Sequence, residues 1–259
     1  MEAIFLGRTG TIHVTANLVR QQLVMRYRRA WLGALWMWLV PLATMSVMGL
    51  AITLAFRPAP EANIVAHIVV SVLPFALFQN MVASGSASLV SHQELVRRHA
   101  VDRIVFPCSA MLLALVEYLV ASLVLIVLGP ILRLHAGAAL LAVPLGFVCV
   151  FAFGGGLALL GSIATVHFRD LSHVIQVVLN LLYWLTPIVY TPALLPEHAR
   201  DWLLVNPLTS MLSLYTEPLV HGRPPDAAAF AIAVPFAAAS LAAGLWVFRR
   251  HAARVVYYL

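Results

Sequence analysis

The chain has 259 residues, of which 62% are hydrophobic and only 10% charged. So few charges cannot cover the surface of a water-soluble domain, and several uncharged runs exceed the roughly 18–20 residues that cross a bilayer, so the composition indicates a polytopic membrane protein. The formal net charge is +6 without a single lysine, which excludes a P-loop phosphate site and lysine Schiff-base chemistry on this chain.

Residues 1–33 are read as a cytoplasmic N-terminal segment. Leu18, Leu23, Val24 and Tyr27 recur at helical spacing with Arg20, Arg26 and Arg28 among them. That pattern suits an amphipathic helix on the inner membrane surface. The alternative is a basic flank that only sets topology. The stretch Arg26 to Pro41 then places Arg26, Arg28, Arg29, Trp31, Gly33, Trp36 and Trp38 at the junction with the first apolar run. Arginine and tryptophan there suit the headgroup level, and the glycine suits a turn between a surface helix and a span. The apolar run begins only after Gly33, so the first span is expected to act as an uncleaved signal anchor.

Six spans are predicted, over residues 34–56, 63–90, 108–132, 138–166, 174–190 and 227–248, together forming a permease-like region at 34–248. The second and fourth are long enough to tilt, and the fifth is short. With both termini inside, twelve arginines fall on the cytoplasmic side and four (Arg57, Arg133, Arg200 and Arg223) outside, so the predicted orientation is N-in and C-in. The tail, 249–259, is then cytoplasmic.

Two connecting segments stand out. The cytoplasmic loop 91–107 carries Glu94, Arg97, Arg98, Asp102 and Arg103 and has room for a short helix. The outer segment 191–226 contains Trp202, Asn206 and Pro207; it is too apolar for a free loop and too interrupted by prolines for a span. A pair of short re-entrant helices over the outer mouth, acting as a gate, fits it best, because irregular backbone at membrane depth survives only when buried in protein or lining a wet cavity.

Within the spans, Glu117 is costly and is expected to face protein or water, either protonated or paired with an arginine or histidine from another span. A structural hydrogen bond and proton coupling are its two readings. Arg169 and Asp170 sit together at an inner edge, either as a hinge or latch between the fourth and fifth spans or as a local pair capping the fifth. Trp38, Phe75, Phe78, Tyr183, Trp184 and Tyr190 could stack on sugar faces, and Gln79 and Asn80 could hydrogen-bond sugar hydroxyls; interface anchoring and core filling are the ordinary uses of the same aromatics. Small residues at 84–88 and 154–156 suit close helix contacts. Cys108 and Cys149 read as buried apolar side chains, the ten histidines are dispersed, no metal site is expected, and no nucleic-acid partner is expected.

Three ordered motifs carry a resemblance. Arg26 to Pro41, with Leu32-Gly33 and Leu35-Trp36, resembles the entrance motif of the polysaccharide-export permeases among type-2 ABC exporters, which move O-antigen, capsule and teichoic-acid polymers. Phe168-Arg169-Asp170-Leu171 followed by Trp184, Thr186-Pro187 and Tyr190 is similar to that family's inner turn and fifth span, and Asn206-Pro207 to its outer loop. Arg97-Arg98-His99 departs from the looser lysine- or asparagine-containing stretch the family shows at that place. The resemblance implies an all-α half-transporter: two copies of this chain form the pathway, and two copies of a separate ATPase bind ATP and Mg below, with no cofactor on this chain. It implies ATPase coupling through Glu94, Arg97, Arg98, Asp102 and Arg103, a lipid-linked polysaccharide substrate, and a place in the bacterial inner membrane. A type-2 exporter of a small hydrophobic compound is the alternative, and a membrane transferase acting on lipid-linked glycans a more distant one; no clustered carboxylates or nucleophile with a base favours the enzyme.

Overall fold

The computed structural model describes residues 8–27, 33–56, 63–98, 101–191, 206–255 and 258. Every regular element among them is helical. In chain order these are α1 (Arg8–Tyr27), a 3-10 turn (Gly33–Leu35), α2 (Trp36–Phe56), α3 (Ile64–Ser91), α4 (Gln93–Arg98), α5 (Val105–Leu128), a second 3-10 turn (Ala138–Leu141), α6 (Ala142–His167), α7 (Leu171–Leu185), α8 (Pro207–Val220) and α9 (Ala227–His251).

Each predicted span coincides with a helix, but they are not equivalent. Four have the length and hydropathy to cross a bilayer alone: Ile64–Ser91, Val105–Leu128, Ala138–His167 and Ala227–His251. The apolar stretches Trp38–Leu54 and Leu171–Leu185 are shorter. At 1.5 Å per residue, α7 reaches only about 22 Å, short of a hydrocarbon core of about 30 Å. Beyond α7 the chain continues without regular structure through Thr186, Pro187, Ile188 and Val189, all buried. Irregular backbone is tolerated at such depth because protein covers it.

α3 is the central helix. In its most apolar stretch 78% of residues are buried, against 22–33% in the other three long helices. A helix apolar on all sides is expected to be surrounded, and α3 is packed by α5, α6, α7 and α8. Asn63 caps it, its side-chain oxygen accepting the Ala66 N–H at 3.2 Å. α6 lies between α3 and α9. Its glycines explain the closeness: a Cβ on Gly156 would strike the Ser240 backbone, and one on Gly244 would strike Gly156. Ser240 Oγ donates to the Phe153 carbonyl across this seam at 2.9 Å. Without a hydrophobic drive between helices in lipid, such close backbone approach is the main source of helix–helix attraction.

Loops sort to two ends. At one, Leu89, Val96, Phe106, Val166, Phe248 and Val255 share a buried cluster, with Leu18 of α1 packed against it. Arg97, Arg103, Arg169, Arg249 and Arg250 belong to the segments that meet there. At the other end, Asn63 Nδ2 donates to the Leu132 carbonyl and the His135 N–H to the Leu219 carbonyl. The arginine-rich loops therefore share one end of the molecule, as the charge pattern requires.

α1 takes a specific position. It packs along the first half of α5. Gln22 approaches His92, whose ring lies against Phe106 near the start of α5, and Arg26 pairs with Glu117 further along it. Phe106 and Glu117 are about 16 Å apart along the helix axis at 1.5 Å per residue. α1 is thus a strut leaning on α5, with its C-terminal turn reaching toward mid-helix.

Candidate functional site

The elbow between α1 and α2 supplies the first part of the site. Gly33 has φ +49°, in the left-handed region where glycine carries no Cβ penalty. Arg26, at the end of α1, and Trp36, at the start of α2, face one cavity of about 600 Å³. Arg28, Arg29 and Trp31 lie outside the described residues, as does the side chain of Pro41, whose backbone continues α2.

Three further helices, with more of α2, complete the cavity. α2 adds Val40, Thr44 and Met48; α3 adds Phe75, Gln79 and Asn80; α5 adds Ala114, Glu117 and Tyr118; α7 adds Tyr183. Tyr183 is fixed from two sides. Its hydroxyl donates to the Met48 sulfur at 2.8 Å and its ring meets Phe75 edge-on at 5.3 Å. Gln79 Nε2 donates to Asn180 Oδ1 at 3.3 Å, joining α3 to α7. The Arg26 guanidinium donates to Glu117 Oε1. Glu117 has a cationic partner, on α1 and not on another of the predicted spans. Sequence reasoning singled out Glu117 without its partner, and it missed Tyr118 and Thr44, which carry no signal apart from their place on the helix face.

Of the other aromatics expected to meet substrate, Phe78 is fully buried and stacks on Phe153 at 5.6 Å, so it is core between α3 and α6. Trp184 is 62% exposed and stands outside the cavity, edge-on to Tyr183. Tyr190 folds back, its hydroxyl donating to the Trp184 and Leu185 carbonyls at 3.3 Å and closing the end of α7. Trp38 is partly buried and does not line the cavity.

The start of α8 is tied to the end of α7. Asn206 is the N-cap of α8, its Oδ1 accepting the Leu208 N–H at 3.0 Å, and Pro207 occupies the first turn. Asn206 Nδ2 donates to Thr186 Oγ1 at 2.9 Å, so the two motifs that open and close this segment touch. His67 Nε2 donates to the Pro187 carbonyl at 2.9 Å from inside α3. α8 is a single well-packed helix against α3, α6 and α9, with Leu214 and Tyr215 buried. Trp202 and the stretch 192–205, which would hold the other short helix, lie outside the described residues.

At the arginine-rich end, the short helix expected in the loop 91–107 is α4. Glu94 and Arg97 are exposed on it, while Val96 is 4% exposed and set into the cluster with Phe106 and Phe248. The Arg98 side chain lies outside the described set. Asp102 Oδ1 accepts the Ile104 N–H at 3.3 Å, so this carboxylate organises the start of α5, and Arg103 is half-buried beside it. Arg169 and Asp170 are both exposed and make no ion pair with each other. Asp170 caps α7 through its backbone carbonyl, which accepts the His173 and Val174 N–H groups at 3.0 and 3.2 Å. The expected charge pair therefore does not form, because neighbouring side chains at a helix start diverge into solvent.

A helical bundle with a cavity of mixed apolar and polar lining, a capped apolar helix at one end and arginine-rich segments at the other has the layout of a transport permease. Residues 14–219 match the ABC-2 type transporter family, and the chain belongs to it. It is similar to the O-antigen export system permease protein RfbA of Myxococcus xanthus, with 27% identity over 233 residues that cover 87% of this chain and 89% of that protein. It is also similar to two proteins of the same name from Klebsiella pneumoniae, 24% and 21% identical, each covered over 79% of both chains.

Proposed function

We propose that this chain is the permease subunit of an ATP-driven exporter that carries a lipid-linked polysaccharide, of O-antigen or capsule type, across a bacterial inner membrane. The observation that carries the reading is end-to-end similarity to an O-antigen export permease, over 87% of this chain. The cavity is compatible with it: among apolar neighbours such as Val40, Met48 and Leu73, the aromatic faces of Trp36 and Tyr183 and the amides of Gln79 and Asn80 can meet sugar rings and hydroxyls.

In this reading the protein crosses the membrane six times with both termini inside, α2 and α7 being the shorter crossings and α8 a re-entrant helix beneath the outer mouth. Two copies form the pathway. ATP and Mg are bound and hydrolysed on two copies of a separate ATPase, since no lysine is present to build a P-loop here. α4 is the docking helix, and Val96 ties it to α1, α5, α6 and the C-terminal end of α9, so closure of the ATPase pair moves these helices as a body. Arg26, Trp36 and Gly33 form the inner entrance. Thr186, Asn206 and Pro207 tie the outer gate to α7.

The test is reconstitution of the chain with its genomic partner ATPase in liposomes. Purified lipid-linked polysaccharide is expected to stimulate hydrolysis and to become accessible on the far side, whereas small hydrophobic compounds are not. Stimulation by the small compounds alone would overturn the reading.

A further inference from the structure

Ala242, Leu245, Trp246, Arg249 and Arg250 stand at i, i+3, i+4, i+7 and i+8 near the end of α9, so they share one face of that helix. Together they line an open groove of about 530 Å³. The opposite face of α9 is already occupied: Gly244 lies against Gly156 of α6, and Phe248 is buried in the cluster at the arginine-rich end. The groove thus runs along the outer side of a helix long and apolar enough to cross a bilayer, with only 22% of its apolar stretch buried. Its chemistry changes along its length. Ala242 and Leu245 are apolar, and Arg250 is about 12 Å further along the axis at 1.5 Å per residue.

Trp246 stands between the two parts and is 62% exposed. The Arg250 guanidinium lies over its ring, 5.6 Å from the centroid. The ring occupies the face of the cation and leaves its N–H edge free to donate. Both arginines are exposed, and among the described residues neither meets a carboxylate. Adjacent guanidinium groups of this kind suit a phosphate, which accepts charge-assisted hydrogen bonds from both. A free anion would make no use of Ala242 and Leu245, and a polar protein surface would be mismatched to them. A phosphate joined to an acyl chain satisfies both parts, with tryptophan at the headgroup level.

We propose that this groove is a binding site for an anionic phospholipid: Arg249 and Arg250 donate to the phosphate oxygens, Trp246 holds the level of the headgroup, and one acyl chain runs along Leu245 and Ala242. A zwitterionic lipid carries its own cation beside the phosphate, so the two arginines select a headgroup of net negative charge. The site is separate from the cavity that Arg26 faces, and it does not depend on the export reading.

The full chain, purified in detergent and stripped of lipid, is titrated with phosphatidylglycerol or with phosphatidylcholine of the same acyl chains, and bound lipid is counted by native mass spectrometry. Wild type is expected to prefer phosphatidylglycerol about tenfold, and Arg249→Gln with Arg250→Gln to lose that preference. Trp246→Leu keeps both charges and an apolar side chain, and should weaken phosphatidylglycerol binding about threefold. Arg20→Gln with Arg169→Gln removes the same charge from exposed positions outside the groove and should leave binding near wild type. An equal loss from this control pair would overturn the site, because the preference would then belong to the overall charge of the protein. Wild-type lipid binding by the Arg249 and Arg250 double variant would overturn it too; if that variant also lost the ATPase in a pull-down, the groove would be a protein contact instead. Inorganic phosphate, compared with chloride at equal ionic strength, is expected to leave the lipid bound, and full displacement would mark a site for a free anion and sink the proposal. Should the double variant fail to insert, the shift in Trp246→Leu against the control pair decides.

Discussion

Asn206 holds two helix ends at once: its side-chain oxygen caps α8 at Leu208 while its amide nitrogen donates to Thr186 at the end of α7, 2.9 Å away. This residue therefore fastens the start of α8 to the end of the helix that borders the cavity. Asn206→Ala is expected to lose both bonds and about 1–2 kcal/mol. Asn206→Asp keeps the cap, loses the donor to Thr186, and should fall between. Thermal unfolding followed by size-exclusion fluorescence orders the three proteins, and an Asp variant as weak as the Ala variant would show that the Thr186 bond dominates.

The elbow makes a separate demand. Gly33 has a left-handed backbone, and a Cβ there would meet nothing among the described residues within 4 Å. Gly33→Ala should therefore cost about 1–2 kcal/mol through the backbone alone. Gly33→Asn should cost less, because asparagine tolerates that conformation. Equal melting temperatures for all three would mean the turn can be made another way.

The seam between α6 and α9 has no such freedom. Gly156→Leu must push apart two backbones in contact, and it should prevent a stable fold or lower the yield of monodisperse protein severely. Ser240→Ala removes only the bond to Phe153 and should cost about 1 kcal/mol. Comparable losses from both would contradict a seam set by backbone contact.

Two neighbours on α4 should separate docking from transmission. Arg97 is exposed, so Arg97→Glu should change stability by about 0.5 kcal/mol or less yet weaken ATPase association. Val96 is buried in the cluster beneath, so Val96→Ala should leave association near wild type while loosening the helix and lowering stimulated hydrolysis. Pull-down and hydrolysis assays on the pair of variants decide this, and loss of association in Val96→Ala alone would reverse the roles.

Most helices are legible in the residues because lipid-facing spans need uninterrupted apolar runs, and the breaks at Arg97, His135, Arg169 and Arg223 punctuate them. α7 is legible as a short apolar stretch, but the buried irregular backbone that follows it from Thr186 is not, since that depends on His67 and Asn206 reaching it from elsewhere. Asn206-Pro207 reads as a helix start from local chemistry alone. The Arg26–Glu117 pair joins residues 91 apart in the chain, and no spacing rule links them. Phe75 and Phe78 look alike in sequence, yet one edges the cavity and the other fills the core, because three residues along a helix change the face by about 60°.

The central claim is that this chain conducts a lipid-linked polysaccharide at the expense of ATP hydrolysed on a partner. Its most direct test is the ATPase rate of the co-purified complex in nanodiscs, with and without purified lipid-linked polysaccharide. A saturable stimulation that requires both this chain and the glycan is predicted. A stable complex whose hydrolysis ignores the glycan but responds to small hydrophobic compounds would contradict the account.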